Sequence, residues 1–220
     1  MYKLGLLLLV VVGGVSVSAT NCGPNTLDKF VSILCGNYSN LGDIKEDVRN
    51  RSHDHIQIEF VPVNIPALYP ASTLYHSFRR NSVIIRQHIW VCSLNTFSYV
   101  VCQPYNITVP VLNQDGEIDY NAVSDLDYTV LDTNMACTIT WRTVEFNLFF
   151  GFWPDCTNYY GGPIASYGVH LSCNAISSVT YLDLFPEKSN NAPYIVWKVD
   201  SCPSMNNHTT EDDYNKLCSC

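Results

Sequence analysis

The spacing of apolar residues follows a helical period first and then changes to the period of a β-strand. From Asn25 to Gly36, apolar side chains recur at i, i+3, i+4 and i+7, namely at Leu27, Phe30, Val31 and Leu34. This spacing predicts an amphipathic helix with one apolar face. Asn25 or Thr26 can cap the start of this helix, and Gly36 can end it in a left-handed conformation.

Beyond the helix, apolar and polar residues alternate in short segments that are rich in β-branched and aromatic residues. Pro, Gly, Asn and Asp separate the segments, as is typical of strands joined by turns. The predicted strands are Ile56–Val61, Ser82–Val91, Phe97–Gln103, Asn106–Leu112, Ala136–Trp141, Ser166–Cys173, Ile176–Leu184 and Tyr194–Val199. Because no helical pattern lies between them, they predict a mainly all-β fold, an antiparallel barrel or a sandwich.

The first nineteen residues have the pattern of a cleavable export signal. Lys3 supplies the positive charge, Leu4–Val12 the apolar run, and Val17-Ser18-Ala19 a small-residue cleavage site. The run is short for a bilayer span, and no later segment is apolar enough to cross a membrane. We therefore expect a signal at 1–19, an extracellular domain at 20–202, and an acidic, cysteine-containing tail at 203–220.

The cysteines agree with an oxidising compartment. All ten lie after the predicted cleavage point. An even number of cysteines in an exported chain predicts a disulfide framework, although counting alone cannot give its connectivity. Cys92 and Cys102 lie near facing ends of two neighbouring predicted strands, so a disulfide across that hairpin is plausible.

Glycosylation sequons and net charge further restrict the function. The acceptor sequons are at Asn37, Asn50, Asn106 and Asn207. The formal charge of −8 becomes −9 once Lys3 is removed, which argues against nucleic acid as a partner. A neutral or cationic partner, or an enclosed ligand, stays open.

Motifs for common enzyme chemistry are absent from the sequence. There is no Gly-rich phosphate loop, nucleophile elbow or zincin helix, so we assign no catalytic residues. His53-Asp54-His55 has no third ligand nearby and is weak evidence for a metal site. Residues 113–127 fail the ligand spacing of a calcium loop and predict a solvated acidic loop.

The predicted strand Ser82–Val91 carries an unusual row of side chains. Alternation places Ile84, Arg86, His88 and Trp90 on one face and a mostly apolar set on the other. A buried charge must be paired or bind something, so the row with the guanidinium fits the wall of a pocket. The pattern fits equally well a face that is simply exposed to water.

Several segments resemble, in order and spacing, those of the T-type phycobiliprotein lyases, the CpcT/CpeT family. The matching segments between Leu27 and Asp200 are Leu34-Cys35-Gly36-Asn37-Tyr38-Ser39-Asn40, Ile56–Phe60 with Pro62, Arg86-Gln87-His88-Ile89-Trp90, Cys137 and Cys156 with Trp141 and Gly151 between them, Ser166-Tyr167, and Tyr194-Ile195-Val196-Trp197-Lys198. The chain resembles a divergent, exported member of that family.

This resemblance implies a calycin-like antiparallel β-barrel with an open mouth and a bilin, an open-chain tetrapyrrole, as ligand. Arg86 would grip a propionate, since a guanidinium binds carboxylates bidentately. His88 and Trp90 would line the same wall, and Tyr75 and Tyr167 could form others. The setting of Cys137 and Cys156 suggests a disulfide between them.

The chain also departs from the family pattern. His88 stands where the family has a second arginine, and His76-Ser77-Phe78 replaces an expected Glu-Gln pair. The export signal and the additional cysteines are also unlike an intracellular pigment-assembly protein. The chain can thus retain the barrel and the pocket of the family although its lyase activity has changed.

Three functions remain open on the sequence. The first is a secreted binder of a bilin or another planar apolar acid. The second is an active lyase that delivers a bilin to a cysteine of an acceptor protein. The third is a structural or interaction glycoprotein that uses the barrel only as a scaffold, because a fold alone does not decide function.

Overall fold

The structure is a computed structural model that describes residues 26–42, 54–132, 137–145, 147–153, 167–180, 194–200 and 202. Its helices are α1 (Thr26–Leu34) and α2 (Tyr120–Ser124), with a 3-10 turn at Pro66–Leu68. The strands are β1 (Gly36–Ser39), β2 (Ile56–Val63), β3 (Ser72–Arg80), β4 (Val83–Leu94), β5 (Val100–Ile107), β6 (Leu131–Asp132), β7 (Ile139–Glu145), β8 (Leu148–Trp153), β9 (Tyr167–Ser172), β10 (Ala175–Thr180) and β11 (Tyr194–Asp200).

The strands form a closed antiparallel barrel. Ten of the eleven strands lie in the order β4-β3-β2-β1-β11-β10-β9-β8-β7-β5, and a further pairing of β4 with β5 closes the ring. The short strand β6 pairs only with the end of β5, beside the barrel. The structure confirms the prediction of a mainly all-β barrel and excludes the sandwich.

Most predicted elements are confirmed with small shifts in their ends, but one pair is wrong. Phe97–Gln103 and Asn106–Leu112 were expected as separate strands, whereas β5 runs unbroken through Pro104. Proline lacks an N–H for a sheet ladder and is tolerated where a neighbouring strand is missing. Pro104 lies at such a place among the described residues, where β7 pairs with β5 at Val100–Cys102 and β6 pairs with it at Asn106–Ile107.

Helix α1 closes one end of the barrel. Its Phe30, Ile33 and Leu34 are fully buried in the main core. Lys198 Nζ donates to the carbonyl oxygens of Ile33 and Cys35 at 2.7 and 2.8 Å. Side-chain donors that bond to the last helical carbonyls stabilise a helix end. The predicted helix is therefore confirmed and attached to β11.

Gly36 has the backbone conformation that its predicted role as a helix stop requires. Its φ is +134°, in the region that residues with a Cβ rarely adopt. A Cβ at this position would also lie 2.5 Å from the carbonyl oxygen of Asp200 on β11. Only glycine therefore allows the chain to pass from α1 directly into β1.

A second apolar cluster lies outside the barrel wall. Tyr75 on β3 and Ile89 on β4 pack there against Val111, Val123 and Leu126 from the connection that follows β5. Part of the predicted acidic loop thus folds back onto the barrel through α2, which Asp119 caps with its side chain. The exposed positions of this connection include acidic residues as well as Tyr120 and Tyr128.

Disulfides tie the ends of the barrel together. Cys92 and Cys102 are bonded across the β4–β5 hairpin, as predicted. Cys35, after α1, is bonded to Cys202, beyond the end of β11. Cys137 is also disulfide-bonded, but Cys156, its predicted partner, lies outside the described residues.

Candidate functional site

Three inward-facing side chains meet at the end of the barrel where β4 begins. Ile58 on β2 is registered with Phe78 on β3, and Phe78 is registered with Arg86 on β4. Ile58 and Phe78 pack against the main core, and all three residues are only partly buried. The guanidinium carbon of Arg86 lies 6.0 Å from the centre of the Phe78 ring. We call these three residues the mouth layer.

The next inward row holds two buried histidines. Phe60, His76, His88 and Asn106 follow one another across β2, β3, β4 and β5. The Nδ1 atoms of His76 and His88 lie 3.3 Å apart, and their rings are parallel to within 2°. The exposed fractions of these two residues are 6% and 1%. We call His76 and His88 the histidine pair.

Burial keeps both histidines in the neutral form at pH 7. Removal from water, followed by the charges of His88 and Arg86, lowers the pKa of His76 well below its usual value of 6.5. Burial and the Arg86 charge lower the pKa of His88 to about 4, although a hydrogen bond with the Asn106 side chain acts in the opposite direction. Charged imidazole in an apolar interior is unfavourable, which explains both directions.

Below the histidine pair, aromatic rings fill the barrel interior. Trp90 lies 5.1 Å from Phe60 and 6.5 Å from Trp141 between ring centres, and Phe30 of α1 lies 5.1 Å from Trp141. Trp141 covers Gly151, where an added Cβ would lie 2.7 Å from the indole. The indole N–H of Trp141 is buried without a hydrogen-bond partner among the described residues. This part of the interior is a packed aromatic core.

The structure brings together some of the residues that the sequence predicted for the site. Arg86, His88 and Trp90 all lie on the inner face of β4, one below the other. Tyr75 lies on the outer face of β3, buried in the second cluster, where Gln87 donates to its hydroxyl at 2.8 Å. Tyr75 therefore does not face the barrel interior. Tyr167 begins β9, but its side chain lies outside the described residues.

Sequence reasoning missed three members of the site. Ile58, His76 and Phe78 complete the mouth layer and the histidine pair, and two of them lie on β3, which was not predicted as a strand. A signal for the two residues on β3 existed, because His76-Ser77-Phe78 replaces the Glu-Gln pair that the resemblance leads one to expect. Their alternate spacing places them on one face of a strand.

The predicted glycosylation sites differ in their surroundings. Asn37 lies on β1 next to the buried Tyr38, so strand alternation directs its side chain outward. Asn106 instead hydrogen-bonds with the buried His88 on the inner face of the barrel. Asn50 and Asn207 lie outside the described residues.

We therefore expect a glycan on Asn37 and none on Asn106 when the protein is secreted from eukaryotic cells. Asn37→Gln should increase mobility on a denaturing gel by one glycan, whereas Asn106→Gln should leave it unchanged. The control is digestion with an N-glycosidase. After digestion, wild type and Asn37→Gln should have the same mobility. A mobility shift in Asn106→Gln would contradict the inward position of that side chain.

No family model matches the chain, and no curated protein matches it. Among solved structures, the chain is similar to the selenomethionine form of the CRL protein of Arabidopsis, with a TM-score of 0.46 and 13% sequence identity. The match covers 81% of this chain and 97% of that chain. A likeness of this size carries no argument about function, so the resemblance to the lyases remains a prediction.

Within the part of the chain that the structure describes, none of the helices has the length and apolar character needed to cross a bilayer.

Proposed function

We propose that this protein is an exported barrel that binds a planar, apolar ligand with carboxylate groups, of the bilin class, at the mouth layer. The observation that carries the proposal is the registered row of Ile58, Phe78 and Arg86, which combines a cation with two partly exposed apolar side chains. Such a row offers an apolar surface for a flat π-system and a guanidinium for a carboxylate.

The packed aromatic core limits where this ligand can bind. Because Trp141 packs against both Trp90 and Phe30 below the histidine pair, the ligand would lie across the mouth and not at the level of these rings. His88 would then form part of the floor of the site. Trp90, which the sequence placed in the pocket wall, would support that floor from below.

Export is part of the proposal and is supported by the cysteines. Cys35, Cys92, Cys102 and Cys202 form two bridges, and Cys137 and Cys173 are disulfide-bonded as well. Stable bridges are typical of oxidising compartments. The proposal covers binding of the ligand and does not extend to its transfer to an acceptor protein.

A second function, that of a scaffold glycoprotein, is favoured by the packed aromatic core. Rings that fill the barrel stabilise it without any ligand. The two proposals differ in whether the mouth layer binds a carboxylate-bearing chromophore, and one titration distinguishes them.

Biliverdin added to the purified protein should give a red-shifted and sharpened visible band. Arg86→Ala should weaken binding about 10- to 100-fold, because hydrogen bonds to charged groups contribute about 1.5–3 kcal/mol. Arg142→Ala is the matched control, since Arg142 is exposed and its guanidinium lies against Tyr99, away from the mouth layer.

Binding in the control variant should equal that of the wild type. An unchanged biliverdin spectrum at tens of micromolar wild-type protein would favour the scaffold. Equal weakening by both substitutions would show that the total positive charge matters and the mouth layer does not.

A further inference from the structure

The histidine pair lies directly beneath the cation of the mouth layer. Arg86 and His88 are two residues apart on the inner face of β4, and His76 is the registered neighbour of His88 on β3. The pair is within hydrogen-bond distance, with 3.3 Å between the two Nδ1 atoms. A charge bound at Arg86 therefore acts on two imidazoles that are shielded from solvent.

The contact between the imidazoles accommodates one additional proton but not two. A hydrogen bond between two Nδ1 atoms requires one ring to donate and the other to accept. The donor ring can take a proton at its other nitrogen, and the bond then becomes charge-assisted and stronger. A second proton would place hydrogen on both Nδ1 atoms and break the contact.

The groups that face the pair come from three strands. Phe60 faces it from β2, Trp90 and Arg86 from β4, and Asn106 from β5. Among the described residues, Arg86 is the charged group that acts on both rings, and it opposes their protonation. Glu59 is directed to the outer side of the wall, where it accepts from Ser77 at 3.1 Å.

We propose that a carboxylate held at Arg86 is bound together with one proton, which the His76–His88 pair takes up from solvent. This inference rests on the proposed function, which places a ligand carboxylate at Arg86. The carboxylate offsets the Arg86 charge and adds a negative charge above the pair, so it favours the protonated state. Thermodynamic linkage is reciprocal, so protonation of the pair strengthens carboxylate binding to the same extent.

The coupling makes affinity depend on pH with a definite sign. At a pH well above the pKa of the liganded pair, the pair is neutral with or without ligand, and the carboxylate binds without a proton. As the pH falls through that pKa, binding should tighten by at most about tenfold per pH unit, the limit for uptake of one proton.

Titration calorimetry of biliverdin binding to the full chain tests this coupling. Measurements at pH 5.5 and pH 8 in buffers with different ionisation enthalpies give the number of protons taken up per ligand bound. We expect a value approaching one at pH 5.5 and near zero at pH 8. Biliverdin dimethyl ester, which lacks free carboxylates, should bind without uptake at either pH.

His88→Gln and His76→Gln separate the pair from protonation of the ligand itself. Each variant removes one of the two titrating rings, so the proton uptake per biliverdin bound at pH 5.5 should be abolished whatever the affinity of the variant. The histidine C2–H resonances of the wild-type protein provide a readout that needs no substitution. Biliverdin should shift the titration of one buried histidine to higher pH.

The outcomes distinguish this proposal from the proposed function. Binding that depends on Arg86 but shows the same proton uptake in wild type and both variants would overturn the coupling and leave the binder intact. Binding with no uptake in the wild type at pH 5.5 would do the same. Absence of biliverdin binding at both pH values would overturn both proposals.

Discussion

Replacement of Phe30 by alanine is expected to lower the free energy of unfolding by about 3–5 kcal/mol, the usual cost of removing a fully buried aromatic ring. The exposed fraction of Phe30 is 0%, and its ring lies 5.1 Å from Trp141 and 5.3 Å from Phe149 between centres. The substitution would leave a cavity between α1 and the barrel interior, where the surrounding strands cannot relax to fill it. Urea denaturation followed by tryptophan fluorescence measures the change.

Phe97→Ala is the matched control for this measurement. Phe97 lies in the turn of the β4–β5 hairpin with an exposed fraction of 76%, so its loss should change the unfolding free energy by no more than about 0.5 kcal/mol. Equal destabilisation by the two substitutions would contradict the role of α1 as the closure of the barrel. A loss near 1 kcal/mol in Phe30→Ala would mean that the helix packs only loosely.

The fold was largely predictable because strongly periodic segments dominate the chain. Helix α1 and the strands β4, β9 and β11 follow clear apolar spacing, and their predicted ends differ from the structure by at most a few residues. The closure of the strands into a barrel was not predictable from spacing alone, since a sandwich uses the same alternation. It depends on the pairing of β4 with β5, which joins the two ends of the sheet.

Two of the strands that sequence reasoning missed, β3 and β8, have a physical reason in common. Strand β3 is buried on both faces, between the main core and the second cluster, and carries polar residues such as His76 and Ser77 on each face. Strand β8, Leu148–Trp153, is a nearly continuous apolar run over its whole length. Neither shows the apolar–polar alternation that marks a strand with one exposed face.

The candidate site was predicted as a row on one strand with Tyr75 and Tyr167 on other walls, whereas the mouth layer and the histidine pair extend across three strands. Alternation on β4 placed Arg86, His88 and Trp90 on one face, and this much follows from strand geometry. The neighbours of these residues on β2 and β3 depend on register, which a single sequence does not provide. Tyr75 shows the consequence, because it belongs to β3 but points to the side opposite His76.

Lowering the pH from 8 to 5 is expected to remove about 2 kcal/mol of stability through His88, whose pKa is about 4 in the folded chain, and a further amount through His76. The folded-state pKa of His88 is about 4 and that of His76 lies well below its usual value of 6.5, which both residues regain on unfolding. Between about pH 4 and pH 6.5 the unfolded chain therefore binds more protons at these histidines than the folded chain does. Stability is therefore complete above about pH 7 and is lost as the pH falls toward 4, at up to about 1.4 kcal/mol per pH unit for each histidine.

Urea denaturation of wild type and of the double variant His76→Gln/His88→Gln at several pH values measures this loss. Carboxylates elsewhere in the chain contribute equally to both proteins, so the difference between the two slopes isolates the histidine pair. The double variant should lose less stability than the wild type between pH 8 and pH 5. Identical slopes would mean that the histidines take up protons in the folded barrel without cost, and the interior at His76 and His88 would then have to be accessible to water.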